Sequence, residues 1–167
     1  MDIQTYRQVE NWISGQKLTE DKIVSKEEAH EKDLLHLSTH LIVIDLQGNI
    51  LCRKRAENDF RYAGLWTTTI GIHVPLSQGY KEILIEYFPL KIDLKWVGEF
   101  RVRDEFENEV NGLYVTFVSD QNLDEAFMRD KKFISQDELD NLINKNNCTP
   151  HLREAYLLLK LKKMLLP

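Results

Sequence analysis

The side chains with the most chemistry to offer are His36, His73 and the Glu107-Asn108-Glu109 run, with His30 six residues ahead of His36. Imidazole nitrogen and carboxylate oxygen are the donors that borderline and hard divalent ions take, so the set suits Zn²⁺, Mn²⁺ or Mg²⁺. In an extended segment Glu107 and Glu109 alternate across Asn108, which turns both carboxylates to one side. A basic group, Arg53-Lys54-Arg55 with Arg61 nearby, carries enough charge to hold one small phosphate ligand, and reads equally well as a solvated strand end. These residues lie far apart in sequence and can act together only if the fold assembles them.

The elements that must position them are legible in outline. Ser25-Lys26-Glu27-Glu28 is a capping-box pattern that opens a short helix with His30 near its end. His36 to Asp45 reads as a strand with the apolar run Leu41-Ile42-Val43-Ile44 at its buried end. Asp45-Leu46-Gln47-Gly48-Asn49 makes a hairpin turn, and Ile50 to Arg55 is the return strand. Gly64-Leu65-Trp66 leads into a Thr-rich strand over 67–70. Ser77 can cap a helix from about Gln78 to Phe88, stopped by Pro89. Leu94 to Arg103 and Val110 to Val118 are β-branched and strand-like, joined by an acidic turn. Ser135 opens a helix to about Asn144, and Thr149-Pro150 opens a long Leu-rich last helix. Residues 1–24 have no clear period and read as an arm or short helix, leaving 25–167 as a single domain. Strands with helices between and after them favour an α+β fold.

Bulk composition narrows the function. Hydrophobic content of 43% and charged content of 29% are those of an ordinary globular protein. A net charge of −5 argues against nucleic-acid binding, which needs a basic face. No apolar run reaches the roughly 20 residues of a membrane helix. Cys52 and Cys148 are too few for a disulfide framework, and MDIQTYRQVENW lacks a secretory pattern, so a cytoplasmic location is expected.

The order and the residues together resemble the Nudix superfamily, and within it the type I isopentenyl diphosphate isomerases, from about Ser25 to Leu158. In that family an Ala-His precedes a Leu-His-Leu strand, as Ala29-His30 precedes Leu35-His36-Leu37. Its Gly-x-Trp-Thr stretch, leading to a strand that ends in His, matches Gly64-Leu65-Trp66-Thr67 and Ile72-His73. Its Phe-Arg-x-Arg and Glu-Asn-Glu-Val match Phe100-Arg101-Val102-Arg103 and Glu107-Asn108-Glu109-Val110. The resemblance implies a Nudix-type α/β/α sandwich with a mixed, largely antiparallel sheet. It also implies a divalent-metal site at His30, His36, His73, Glu107 and Glu109, with Glu109 the catalytic carboxylate.

Departures from the family pattern bear on activity. Two Nudix-box carboxylates correspond to Leu90 and Lys91, behind Pro89, and Gln78 stands for a third. Glu82 and Glu86, one helical turn apart, could hold one ion weakly but read more readily as a solvated face. The isomerase thiol corresponds to Gly71, its tyrosine to Val102, its shielding tryptophan to His151, and its diphosphate-gripping lysines to Asp59-Phe60. Cys52 lies on the hairpin strand and reads as a small buried apolar residue. The expectation is a divergent Nudix-fold protein that keeps a His/Glu metal cage and acts on or binds a small phosphorylated metabolite. Isomerase activity is not expected. The alternative is a non-catalytic module that binds a ligand or a protein partner.

Overall fold

The computed structural model describes residues 5–8, 22–75, 78–88, 93–119 and 123–166 of the chain. In order, the elements are β1 (Thr5–Gln8), β2 (Lys22–Ser25), α1 (Lys26–Glu31), β3 (His36–Asp45), β4 (Ile50–Lys54), β5 (Trp66–Thr67), β6 (Ile70–His73) and α2 (Tyr80–Tyr87). They continue with β7 (Lys95–Arg103), β8 (Asn108–Val118), α3 (Glu125–Met128), β9 (Lys131–Ile134), α4 (Gln136–Asn144) and α5 (Pro150–Lys162).

β3 is the axis of the sheet. Its ten residues pair in parallel with β8, from His36 opposite Glu109 to Asp45 opposite Val118. Its other partners are antiparallel: β6 beside its first half, β4 at its far end, and β1 at His36. β7 extends the sheet beyond β8, and β9 lies beside β4. One parallel pairing among antiparallel ones is the mixed sheet that the sequence implies.

Both faces of β3 are covered, which explains why its apolar run is continuous rather than alternating. Ile42 and Ile44 pack with Leu113 and Val115 of β8 against Leu139 of α4 and Leu152, Ala155, Tyr156 and Leu159 of α5. Leu41 and Val43, on the other face, meet Leu84 of α2, Phe88 and the α3 side chains Phe127 and Met128. The sheet is thus sandwiched between helices. Each fully buried aliphatic side chain contributes on the order of 1.5–3 kcal/mol.

Local signals account for most boundaries. Asp45 closes the β3–β4 turn by accepting the amides of Gln47 and Asn49 and the Asn49 side chain, and Gly48 takes a positive φ of 82°. Ser135 caps α4 at Glu138, and Thr149 caps α5 at Leu152 with Pro150 in the first turn.

Three expectations change. Within 1–24, expected as an arm or short helix, the described residues form strands at Thr5–Gln8 and in the run from Lys22, paired with one another. The strand expected over 67–70 is two strands, β5 pairing β4 and β6 pairing β3, because the chain leaves one partner for another between Thr67 and Ile70. α3 and β9 had no counterpart in the sequence pattern. The cap at Ser77, the stop at Pro89, and Leu90 and Lys91 lie outside the described residues; α2 instead has Gly79 at its N-cap and Phe88 at its C-cap. Among the described residues no helix is long and apolar enough to cross a membrane.

Candidate functional site

The site sits where the α5-covered face of the sheet turns polar. On β3, His36, Ser38 and His40 occupy the positions of the same face that Ile42 and Ile44 occupy further along, and on β8 Glu109 precedes Leu113 and Val115 in the same way. β6 brings its last residue, His73, opposite Ser38, and Gly71 opposite His40. α1 delivers His30 from above, and the first turn of α5 delivers His151.

α5 is fixed there by several bonds. The Trp66 amide donates to the Asn147 carbonyl, the Thr149 amide donates to the Trp66 carbonyl, and the Thr149 hydroxyl donates to Thr67 Oγ1 at 3.0 Å. The Glu107 end is held by Asp104, whose carboxylate accepts the amides of Phe106 and Glu107 and the hydroxyl of Tyr62.

Glu109 is the hub. Its Oε1 lies 3.2 Å from His36 Nε2 and 3.0 Å from His73 Nε2, and its Oε2 lies 2.8 Å from His151 Nε2. Glu107 lies 3.4 Å from His30 Nδ1. Candidate ligand atoms of His30, His36, His73 and Glu107 all fall within 4.8 Å of one another, and so do those of His40, Glu109 and His151. The five residues that the sequence nominates for a metal thus occupy one place.

Electrostatics follow from burial and from these neighbours. Burial would raise the Glu109 carboxyl, but the imidazoles of His151, His36 and His73 that close around it outweigh this and hold the group well below the usual carboxylate range. Burial and the Glu109 charge push Glu107 up to about 7, against the pull of Arg61. Burial would lower His36, but Glu109, the Leu34 carbonyl and Glu107 raise it. Burial, the Arg61 charge and the other imidazoles lower His30 to about 3. Burial and His151 lower His40 to about 3, so its ring is neutral. His36 donates Nδ1–H to the Leu34 carbonyl at 2.8 Å, which leaves Nε2 as the atom facing the site.

The cavity is small, about 70 Å³, and Arg53 and Arg55 share its wall with Ser38, Tyr62, the imidazoles and the carboxylates. The four basic residues nominated for phosphate do not act alike. Lys54 leaves the cavity and lies over the Trp66 ring, because neighbours on an extended strand project to opposite sides. Arg61 is not part of the cavity wall. Its Nη1 donates to Glu107 Oε1 at 2.7 Å and lies 3.1 Å from each ring nitrogen of His30. Of the four basic residues, Arg53 and Arg55 line the cavity.

Two site residues escaped the sequence reading, His40 and the acid-facing role of His151. His40 is 5% exposed, bonded at Nδ1 to Thr68 Oγ1 at 2.7 Å, and stacked on His151 with ring centroids 5.0 Å apart. Its signal was present: His36, Ser38 and His40 share a face at period two. A Cβ at Gly71 would stand 2.7 Å from His40 Cε1 and 2.9 Å from Nδ1, so the position matched to the isomerase thiol is occupied by this ring. Cys52 is fully buried in the core, as its place on the hairpin strand implied, and burial pushes its thiol up. Glu82 and Glu86 are exposed on α2.

Solved structures share this architecture. DR0079 from Deinococcus radiodurans aligns over 93% of this chain and 98% of its own, at 11% identity and a TM-score of 0.59. The MutT protein of Methanosarcina mazei Go1 aligns over 77% and 95%, at 13% identity and a TM-score of 0.57. A NUDIX hydrolase from Nitrosomonas europaea aligns over 76% and 89%, at 12% identity and a TM-score of 0.56. At such identities the likeness is one of fold, and the chain has the Nudix fold. In sequence, 44 residues are 41% identical to isopentenyl-diphosphate Delta-isomerase 2 of Photorhabdus laumondii, a match spanning 26% of this chain and 25% of that protein. No family profile matches the chain.

Proposed function

We propose that this Nudix-fold chain binds a divalent metal ion through His30, His36, His73, Glu107 and Glu109, and that it binds or acts on a small phosphorylated metabolite, not as an isopentenyl diphosphate isomerase. One observation carries the metal reading. Buried among converging donors, His36 Nε2 and Glu107 Oε2 make no well-formed hydrogen bond among the described residues, although Glu109 Oε1 and His30 Nδ1 approach them to 3.2 and 3.4 Å. Orphaned polar atoms inside a protein are costly, and a divalent ion is a partner that suits both kinds. The donor set of imidazoles and carboxylates fits Zn²⁺ or Mn²⁺, with Mg²⁺ favoured less by its nitrogen content.

A bound ion would supply positive charge to a phosphate oxygen. The chain's own residues do the rest. Arg53 Nε is buried with no hydrogen-bond partner among the described residues, on the cavity wall beside Arg55, and the two guanidiniums can hold the non-bridging oxygens of a phosphate. At about 70 Å³ the cavity takes a phosphate group and not a whole drug-sized ligand, for which pockets run to roughly 300–1,000 Å³. Arg61 occupies Glu107 and His30, two of the donors an ion would take, so loading the cage moves that guanidinium away. Glu109 stands at the catalytic carboxylate position that the resemblance implies, held ionised by the imidazoles around it, with His151 bonded to its Oε2.

A second reading, a non-catalytic binding module, is favoured by the loss of box carboxylates at Leu90 and Lys91 and of the thiol at Gly71. Two unpaired cysteines agree with a cytoplasmic setting in either case.

The test is metal loading of the chelator-stripped chain, followed by a screen of diphosphate compounds for turnover. Ion at 100 times its Kd should raise stability by about 2.7 kcal/mol, and His73→Ala with Glu109→Gln should abolish that gain. No stabilisation by Zn²⁺, Mn²⁺ or Mg²⁺ would refute the metal reading. Turnover of a diphosphate separates the enzyme from the binding module.

A further inference from the structure

We propose that His40, His151 and Glu109 form a second divalent-metal site, bridged to the first through the Glu109 carboxylate. The two oxygens of that carboxylate are already divided between two sets of imidazoles. Oε1 faces His36 and His73, while Oε2 faces His151, and the His40, Glu109 and His151 donor atoms lie within 4.8 Å of one another. Paired ions about 3.5–4 Å apart are the spacing that two-metal sites use, and one carboxylate offering an oxygen to each ion is the simplest device for holding it.

The second set is prepared for ligation. With the Thr68 hydroxyl donating to the Ile70 carbonyl at 3.2 Å, its oxygen accepts the hydrogen of His40 Nδ1 in their 2.7 Å bond, and this is the tautomer that the second site requires. His40 Nε2 therefore keeps its lone pair. A ring nitrogen fixed by a bond to its opposite nitrogen is the arrangement that orients metal-ligating histidines. All three residues are buried, which strips their donors of competing water, and all three line the cavity that Arg53 and Arg55 share. Gly71 is the condition for this arrangement, since a side chain there would strike the His40 ring.

Two nitrogens and one oxygen are three protein ligands, the number that leaves a tetrahedral ion one open position. That position opens on the cavity, where Arg53 and Arg55 would hold a phosphate oxygen against the ion. Zn²⁺ is the ion these donors favour. The 2.8 Å separation of His151 Nε2 and Glu109 Oε2 would widen to about 3.3 Å, the donor spacing around a tetrahedral ion with bonds of about 2.0–2.1 Å.

The bridge rests on the metal reading of the first cage, and the experiment separates the two. The full chain is stripped with chelator, titrated calorimetrically with Zn²⁺, and its ions counted by mass spectrometry after desalting. Two ions per chain are expected in the natural protein. His151→Gln should bind one, Thr68→Val should weaken one about 10–100-fold and leave the other unchanged, and His73→Ala should weaken the other set. Circular dichroism checks that each variant is folded, and the natural protein's count needs no variant. A single ion that survives His151→Gln and Thr68→Val but is lost with His73→Ala overturns the second site and leaves the first standing. A single ion lost with His151→Gln but retained in His73→Ala supports the second set and overturns both the first cage and the bridge. No bound ion overturns both.

Discussion

Replacing Gly71 by alanine tests whether the His40 ring occupies this space in solution. The backbone at Gly71 does not require glycine, for its φ lies outside the left-handed range. The obstacle is steric: the new methyl carbon would stand 2.7 Å from His40 Cε1 and 2.9 Å from Nδ1, closer by about 0.5–0.7 Å than the ordinary limit of about 3.4 Å. The ring cannot swing aside freely, because Thr68 holds Nδ1 and His151 stacks on its face. Overpacking of this kind costs about 1–3 kcal/mol, and losing the Thr68 bond adds about 1–3 kcal/mol for a stranded buried nitrogen. Removing glycine's freedom in the unfolded chain returns about 0.4–1 kcal/mol. The net loss for Gly71→Ala is therefore about 1–5 kcal/mol.

In a His40→Ala background the obstacle is gone, and the same substitution should be neutral or stabilising by up to about 1 kcal/mol. The coupling between the two positions is then about 2–6 kcal/mol, far above the roughly 0.5 kcal/mol seen between independent sites. Urea unfolding of the natural chain, both single variants and the double variant, in chelator at pH 7.5, measures it. A Gly71→Ala cost that is equal in both backgrounds would refute the placement of the ring. The same contact bears on Gly71→Cys, which should displace His40 and not install a thiol ready for proton transfer.

Acid should destabilise the metal-free protein through His40. Folding lowers this imidazole from its ordinary 6.5 to about 3, so below pH 6.5 the unfolded chain binds a proton that the folded chain refuses, and stability falls as pH falls. Between pH 7.5 and pH 5 this amounts to about 2 kcal/mol, and the urea-midpoint difference between those pH values should shrink in His40→Ala; an unchanged difference contradicts the assignment. Arg53→Ala should weaken inorganic diphosphate about tenfold or more in competition calorimetry with Zn²⁺ present, since bonds to charged groups are worth about 1.5–3 kcal/mol, whereas Lys54→Ala, over Trp66, should change it less than twofold; equal effects would count against the proposed Arg53–Arg55 grip. Isomerisation of isopentenyl diphosphate should stay at background with Mg²⁺ or Zn²⁺ supplied, because general acid–base groups contribute about 10²–10⁴-fold each and both the thiol and tyrosine positions lack one. Robust turnover by the natural chain would show that other residues, His40 and His151 first among them, carry the protons.

Nearest-neighbour chemistry was sufficient for the parts of this protein that are local. β3 runs from His36 to Asp45 because a continuous apolar stretch ends in an Asp-and-Gly turn, and α4 and α5 begin where Ser135 and Thr149 cap them. Glu107 and Glu109 reach one cavity because they are two residues apart in extended chain. The recurrence of spaced His and Glu landmarks was enough to indicate the fold. The identity of each side chain's partners was not legible. Whether Glu109 faces His36, His73 or His151 depends on the parallel register of β3 with β8, the antiparallel register of β3 with β6, and the docking of α5 on Trp66. Those registers are set by burial summed over the whole sheet, and a slip of one residue would reverse every face. For the same reason only the assembled structure could send Lys54 to Trp66, tie Arg61 to Glu107, and lay the His40 ring across Gly71, since each contact joins segments whose separation in sequence says nothing about their distance in space.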